Sequence, residues 1–144
     1  PAGRKAVETE GAGALLARLF EVVFWRVNLG YWDGYPVSSW PQGDIGISLW
    51  CLSHIARDWE KPDRLARLAT VPVNGVLEAK DDFAGMAFEL RILRVLAFFG
   101  LLESKQHPAS TGRLLPTHRY RKTALFDRLL AFDVELEPLE GTRH

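Results

Sequence analysis

Cysteine is nearly absent: Cys51 stands alone among 144 residues, so no intrachain disulfide can staple the fold. A lone thiol fits a reducing compartment and predicts a cytoplasmic chain. Nothing near Pro1 has the basic, apolar, small-residue order of a secretory signal. Long apolar runs are missing too. The longest, Val95 to Leu102, has eight residues, far below the ~18 of a membrane span, and no membrane partner is expected. Nor does one charge sign dominate, with 18 Lys+Arg against 18 Asp+Glu. A neutral chain has no global pull toward nucleic acid or anionic lipid, so any such binding must come from a local patch. The four histidines, His54, His107, His118 and His144, are scattered, and no Cys/His pair has zinc-ligand spacing. Neither a metal nor another cofactor is expected. Gly11-Ala12-Gly13 precedes a helical stretch but lacks the lysine of a phosphate-binding loop.

What the sequence does contain is material for a core. Hydrophobic residues make up 47% and charged residues 25%, which excludes intrinsic disorder. A chain of this length forms one domain and buries roughly 70% of its unfolded surface. Pro1 to Gly13 is small and charged and reads as a loop. From Ala14 to Val27 the residues Leu15, Leu16, Leu19, Phe20, Val23, Phe24 and Val27 recur at helical spacing, and Gly30 can end that helix. Tyr31-Trp32-Asp33-Gly34-Tyr35-Pro36 reads as a loop anchored by its rings.

A second helix is predicted from Asp44, as N-cap, to Trp59, and Pro62 opens a short third helix carrying Leu65 and Leu68. Val71-Pro72-Val73-Asn74-Gly75 breaks it. The longest helix then runs from Lys80 to Phe99, with Asp81 and Asp82 in its first turn and Gly100 as its stop. One apolar stripe combines Phe83, Met86, Leu90, Leu93 and Ala97; a second combines Phe88, Ile92, Val95 and Phe99. A helix apolar on two sides belongs at the centre of a fold. Leu101 to Lys105 and Leu114 to Thr123 read as paired strands around a turn at His107 to Gly112. Thr123 caps a last helix bearing Leu125, Phe126, Leu129, Leu130 and Phe132.

The expected class is mainly α with a small β-hairpin, in the element order of a winged-helix domain with an added C-terminal helix. Residues 1–40 would form an N-terminal helix and aromatic loop, 41–134 the winged-helix-like domain, and 135–144 an acidic, frayed tail.

Between Glu103 and Lys122 lie Lys105, Arg113, Arg119, Arg121 and Lys122, five positive charges against one negative in a neutral chain. On a strand Arg119 and Arg121 point to one face and Tyr120 to the other. Such a hairpin, the wing, can contact the phosphates of duplex DNA, although its charges can equally serve solubility. Asp81 and Asp82 at the start of the long helix would repel phosphate, which argues against reading bases with that helix. Trp25, Tyr31, Trp32, Tyr35, Trp40, Trp50 and Trp59 are expected in the core; if Tyr31, Trp32 or Trp40 were exposed, they would mark a partner surface. His54 lies at helical spacing from Trp50 and Asp58, and Cys51 is three residues from His54. No nucleophile motif accompanies them, and no catalytic residue is assigned.

Glu89-Leu90-Arg91-Ile92-Leu93-Arg94-Val95-Leu96-Ala97-Phe98-Phe99-Gly100-Leu101-Leu102-Glu103 and Tyr120-Arg121-Lys122-Thr123-Ala124-Leu125-Phe126-Asp127 resemble segments of uncharacterised bacterial proteins called plasmid pRiA4b ORF-3-like. Phe24-Trp25 through Asp33-Gly34-Tyr35-Pro36 is similar to the same group. The likeness spans about Ala14 to Val134, in packing and turn residues, without the additional ORF-3 domain of longer members. It implies a fold more than an activity, with at most a distant link to DNA transactions. Pro1 to Val7 also aligns with Ala124 to Leu130, as if the chain began inside the exit of a preceding similar unit. The sequence thus predicts a non-enzymatic interaction module whose wing contacts nucleic-acid backbone. The alternative is a protein-interaction or homodimerisation domain using the helix from Ala14 to Val27.

Overall fold

A computed structural model describes residues 2–34, 40–70, 83–106 and 118–134, and only the backbone of residues 2–10, 33 and 83. Over these residues the fold is mainly helical with one two-stranded antiparallel sheet. The expectations for Tyr35, Pro36, Val71 to Gly75, Lys80 to Asp82, His107 to Gly112, Arg113 and the tail 135–144 lie outside the described residues.

Helix α1 spans Ala2–Trp25, so the loop expected from Pro1 to Gly13 is replaced by helix from Ala2 onward. The break in it falls at Gly11, whose φ of 81° and ψ of 165° leave the helical region. Phe20 and Phe24 are buried, with Leu16, Val23 and Val27 packed beside them. Leu19, Val22 and Trp25 take the opposite side and are exposed, which corrects the core placement of Leu19 and Trp25. A short helix α2, Gly30–Asp33, replaces the expected loop, and its Tyr31 and Trp32 point outward rather than anchoring it.

A 3-10 turn at Gln42–Asp44 leads into α3, Ile45–Ile55. Asp44 sits at the N-cap but its side chain accepts no capping hydrogen bond. The helix stops four residues short of Trp59 because the chain from Ala56 to Glu60 turns to meet the hairpin. Glu60 and Tyr120 exchange two backbone hydrogen bonds, of 3.0 and 2.9 Å, and Lys122 N donates to Ala56 O at 2.7 Å. Pro62 opens α4, Pro62–Ala69, at its first position, where a missing N–H costs nothing. Leu65, Ala66 and Ala69 are buried, whereas Leu68 is exposed.

The long helix is a composite: α5 (Phe83–Phe88), a π-helical turn (Glu89–Leu93) and α6 (Arg94–Phe98) follow one another without a gap. It is central, as expected; α1 has more residues but is broken at Gly11. The π turn rotates the faces relative to a plain α-helix. Arg91, Ile92 and Leu93, three in succession, are therefore all buried. The stripe of Phe88, Ile92, Val95 and Phe99 is buried in full; in the other, Leu93 is buried and Met86 exposed. Gly100 (φ 73°) ends the rod, with Gly100 N bonded to Ala97 O and Leu101 N to Leu96 O, both at 2.9 Å. This double return is the Schellman arrangement, for which a left-handed glycine is suited.

Strands β1 (Leu102–Gln106) and β2 (His118–Lys122) pair antiparallel, Ser104 opposite Tyr120. Tyr120 enters the core and Arg119 and Arg121 take the other face, as the alternation predicts. Thr123 caps α7, Ala124–Leu129, its hydroxyl oxygen accepting from Phe126 N and its hydroxyl donating to Gly100 O at 2.8 Å. Phe132 lies beyond this helix and is exposed. One core joins α1, α3, α4, the composite helix, the hairpin and α7. Among the described residues no helix is long and apolar enough to cross a membrane.

Candidate functional site

The basic hairpin residues do not form one patch. Lys105 and Arg119 face each other across the sheet, as do Glu103 and Arg121, and both pairs lie on the side toward Trp59. There the Lys105 ammonium stands 4.2 Å and the Arg121 guanidinium 4.8 Å from the Trp59 ring centre, within cation–π range. Arg119 donates to the Trp59 carbonyl at 3.2 Å, and Arg121 pairs with Glu103 at 2.8 Å. Lys122 belongs to the other side of the pleat and pairs with Asp127 at 2.6 Å. Lys105, Arg119 and Arg121 thus share a face, Lys122 is separate, and Arg113 lies outside the described residues.

On the side of the hairpin that meets the π turn, polar groups converge on a single atom. Glu89 Oε1 accepts from the Tyr120 hydroxyl at 2.9 Å and from Arg94 at 3.3 and 3.4 Å, and His118 Nδ1 lies 3.3 Å away. Burial holds the Tyr120 phenol well above its ordinary pKa, and the Glu89 charge and hydrogen bond push it further in the same direction. The Tyr120 hydroxyl and Arg94 both bond to Glu89, so this cluster ties the hairpin to the helix, while the buried His118 Nδ1 makes no hydrogen bond. Sequence reading did not assemble it, because its members are separated by up to 31 positions.

A cleft of about 360 Å3 lies between the end of α1 and the composite helix, walled by Val23, Leu29, Leu90, Val95 and Phe99, with Trp32 and Phe98 at its edges. Arg91 and Arg94 are the charged residues lining it. Phe98 is 88% exposed and Trp32 66%. The rings of Phe98 and Phe99 stand at 90° with centroids 5.8 Å apart, Phe99 buried and Phe98 turned to solvent.

The edge bearing Trp32 is held firmly. Asn28 Oδ1 accepts from Gly30 N at 2.9 Å, and Gly34, left-handed at φ 83°, closes α2 by bonding back to Gly30 O. Buried Gln42 accepts from Leu29 N at 2.9 Å while donating to Phe24 O at 3.0 Å, capping the end of α1. Buried Arg91 donates to the Trp40 carbonyl, fixing the π turn against the segment that precedes α3.

The catalytic alternatives weaken on inspection. Burial pushes the Cys51 thiol up, opposite to what a nucleophile needs. His54 Nδ1 lies 2.9 Å from Trp50 O and 2.8 Å from Ser53 Oγ, both on its own helix. Because α3 ends at Ile55, Asp58 is not one helical turn from His54. Among the described residues no three His, Cys, Asp or Glu side chains gather as metal ligands. Searches of protein-family models, curated proteins and solved structures return no match to this chain.

Proposed function

We propose that the chain is a winged-helix-like interaction module, acting by binding rather than catalysis, and that its principal contact is with a protein partner through the cleft between Trp32 and Phe98. The winged-helix reading is supported by element order. Helix α3, the extended Glu60, α4, the composite helix, β1 and β2 follow in sequence, and Glu60 adds a third backbone partner to the hairpin.

The observation that carries the binding reading is the exposure of two large aromatic side chains, both on helical elements, among the lining of an apolar cleft. Buried aromatic anchors contribute much of the energy at protein interfaces, and exposed ones rimming a concavity provide such anchors before the partner arrives. Selection from a random peptide library tests it. Peptides that bind the parent chain and are lost on a Trp32→Ser/Phe98→Ser variant are expected. A library yielding only peptides indifferent to both substitutions, or none, would overturn the reading.

A second reading, contact with nucleic-acid backbone through the wing, is favoured by the common face of Lys105, Arg119 and Arg121. Its lower rank follows from their engagement with Trp59 and Glu103, which must be exchanged for phosphate.

A further inference from the structure

We infer that Lys61, the residue before α4, belongs to the nucleic-acid contact of the hairpin, forming with Arg119 and Lys105 one row of cations across three neighbouring backbones. This rests on the second reading above. Glu60 and Tyr120 exchange both of their backbone hydrogen bonds, so they stand directly opposite each other and their side chains share one face. Alternation turns Trp59 and Lys61 to the other face, Trp59 level with Arg121 and Lys61 level with Arg119. Trp59 is found there, beneath Lys105 and Arg121, and Lys61 has an extended backbone at φ −80° and ψ 147°. On β1 the residue opposite Arg119 is Lys105. Lys61, Arg119 and Lys105 therefore line up across backbones about 4.8 Å apart, a row about 10 Å long.

The charge of this row is not neutralised within the described residues. Glu103, the one carboxylate on this face of the three paired backbones, is held by Arg121 at 2.8 Å. Arg119 is bonded to a carbonyl and Lys105 lies on a ring, contacts that leave a full positive charge in place. Lys61 is exposed and pairs with no carboxylate among the described residues. Glu60 belongs to the other face and is paired with Arg64 at 2.8 Å, and exposed Arg57 and Asp58, in the turn before Trp59, carry opposite charges. Protein interfaces rest on apolar anchors and are poor in lysine at their centre, and here the available ring, Trp59, is already covered by two cations. What remains for a partner is a line of positive charge, which suits the repeated phosphates of a nucleic-acid backbone.

The test uses the full chain and a fluorescent DNA duplex of about 20 base pairs, followed by anisotropy between about 50 and 200 mM salt. Lys61→Gln, at an exposed side chain, is expected to weaken binding at the lower salt and to flatten log K against log salt by about one unit. Over this range the variant then loses about threefold less affinity than the parent. Lys61→Arg should restore the parent slope. Lys122→Gln removes the same charge from the opposite face, where Lys122 is paired with Asp127, and should leave the slope unchanged. Parent binding with an unchanged slope in Lys61→Gln overturns the assignment of Lys61 and leaves the hairpin reading to Arg119 and Arg121. An equal flattening by Lys122→Gln means that net charge alone decides, and overturns the row. A parent chain that does not bind the duplex, or that binds polyglutamate more tightly at the same salt, overturns both the nucleic-acid reading and this inference.

Discussion

Tyr120 joins three parts of this fold. Its ring is buried, its backbone pairs with Ser104 on one side and Glu60 on the other, and its hydroxyl donates to Glu89. Tyr120→Phe removes a hydrogen bond to a carboxylate and is expected to cost about 1–2 kcal/mol, measured by urea unfolding at neutral pH. The pH dependence has a definite sign. The folded chain favours the neutral phenol, so this contribution is complete below pH about 10, where an unfolded tyrosine begins to ionise, and is lost as the pH rises further. The parent chain should lose stability between pH 10 and 12 more steeply than Tyr120→Phe does. Parallel declines would mean that the phenol is no better protected in the fold than outside it.

At the scale of the element, the composite helix sets a sharp contrast between neighbours. Phe99 packs edge-on against Phe20, with centroids 5.6 Å apart, and Leu93 is fully buried, whereas Phe98 faces solvent. Leu93→Ala should cost about 2–5 kcal/mol and Phe99→Ala about 3–5 kcal/mol, each leaving a cavity. Phe98→Ala should stay within about 0.5 kcal/mol of the parent. Thermal unfolding of the three variants checks this, and similar losses at Phe98 and Phe99 would contradict the orientation of the helix. The elements legible in the sequence were those marked by local chemistry. Pro62 opened a helix, Gly100 closed one, Thr123 capped one, and alternation across Arg119-Tyr120-Arg121 faced the right ring inward. The π turn was not legible, because nothing in Glu89-Leu90-Arg91-Ile92-Leu93 distinguishes it from ordinary helix until Arg91 finds Trp40, 51 positions away. Burial of Gln42 escaped notice for the same reason, since the groups it satisfies belong to α1 and Leu29. Trp25 and Trp32 misled because composition assigns aromatic rings to the interior, and only the packing reveals which ones the interior leaves out.

Across the whole molecule the two candidate contact surfaces differ in what holds them. The cleft is apolar and backed by the core; the hairpin face is polar and rests on Trp59. Should the wing touch duplex DNA, Arg119→Ala/Arg121→Ala would remove about two phosphate contacts and flatten the dependence of log K on log salt by roughly two units. A parent chain and double variant with the same salt slope would exclude the wing as a contact, and the test is independent of peptide binding at the cleft. The linkage through Ala56 and Glu60 has a practical corollary for anyone wishing to transplant the wing. Cut out by itself, the finger formed by β1 and β2 would leave behind the stretch that borders it and the carboxylate that receives its tyrosine. A graft onto another scaffold needs three separate pieces of this chain, or the borrowed finger will have nothing to rest on.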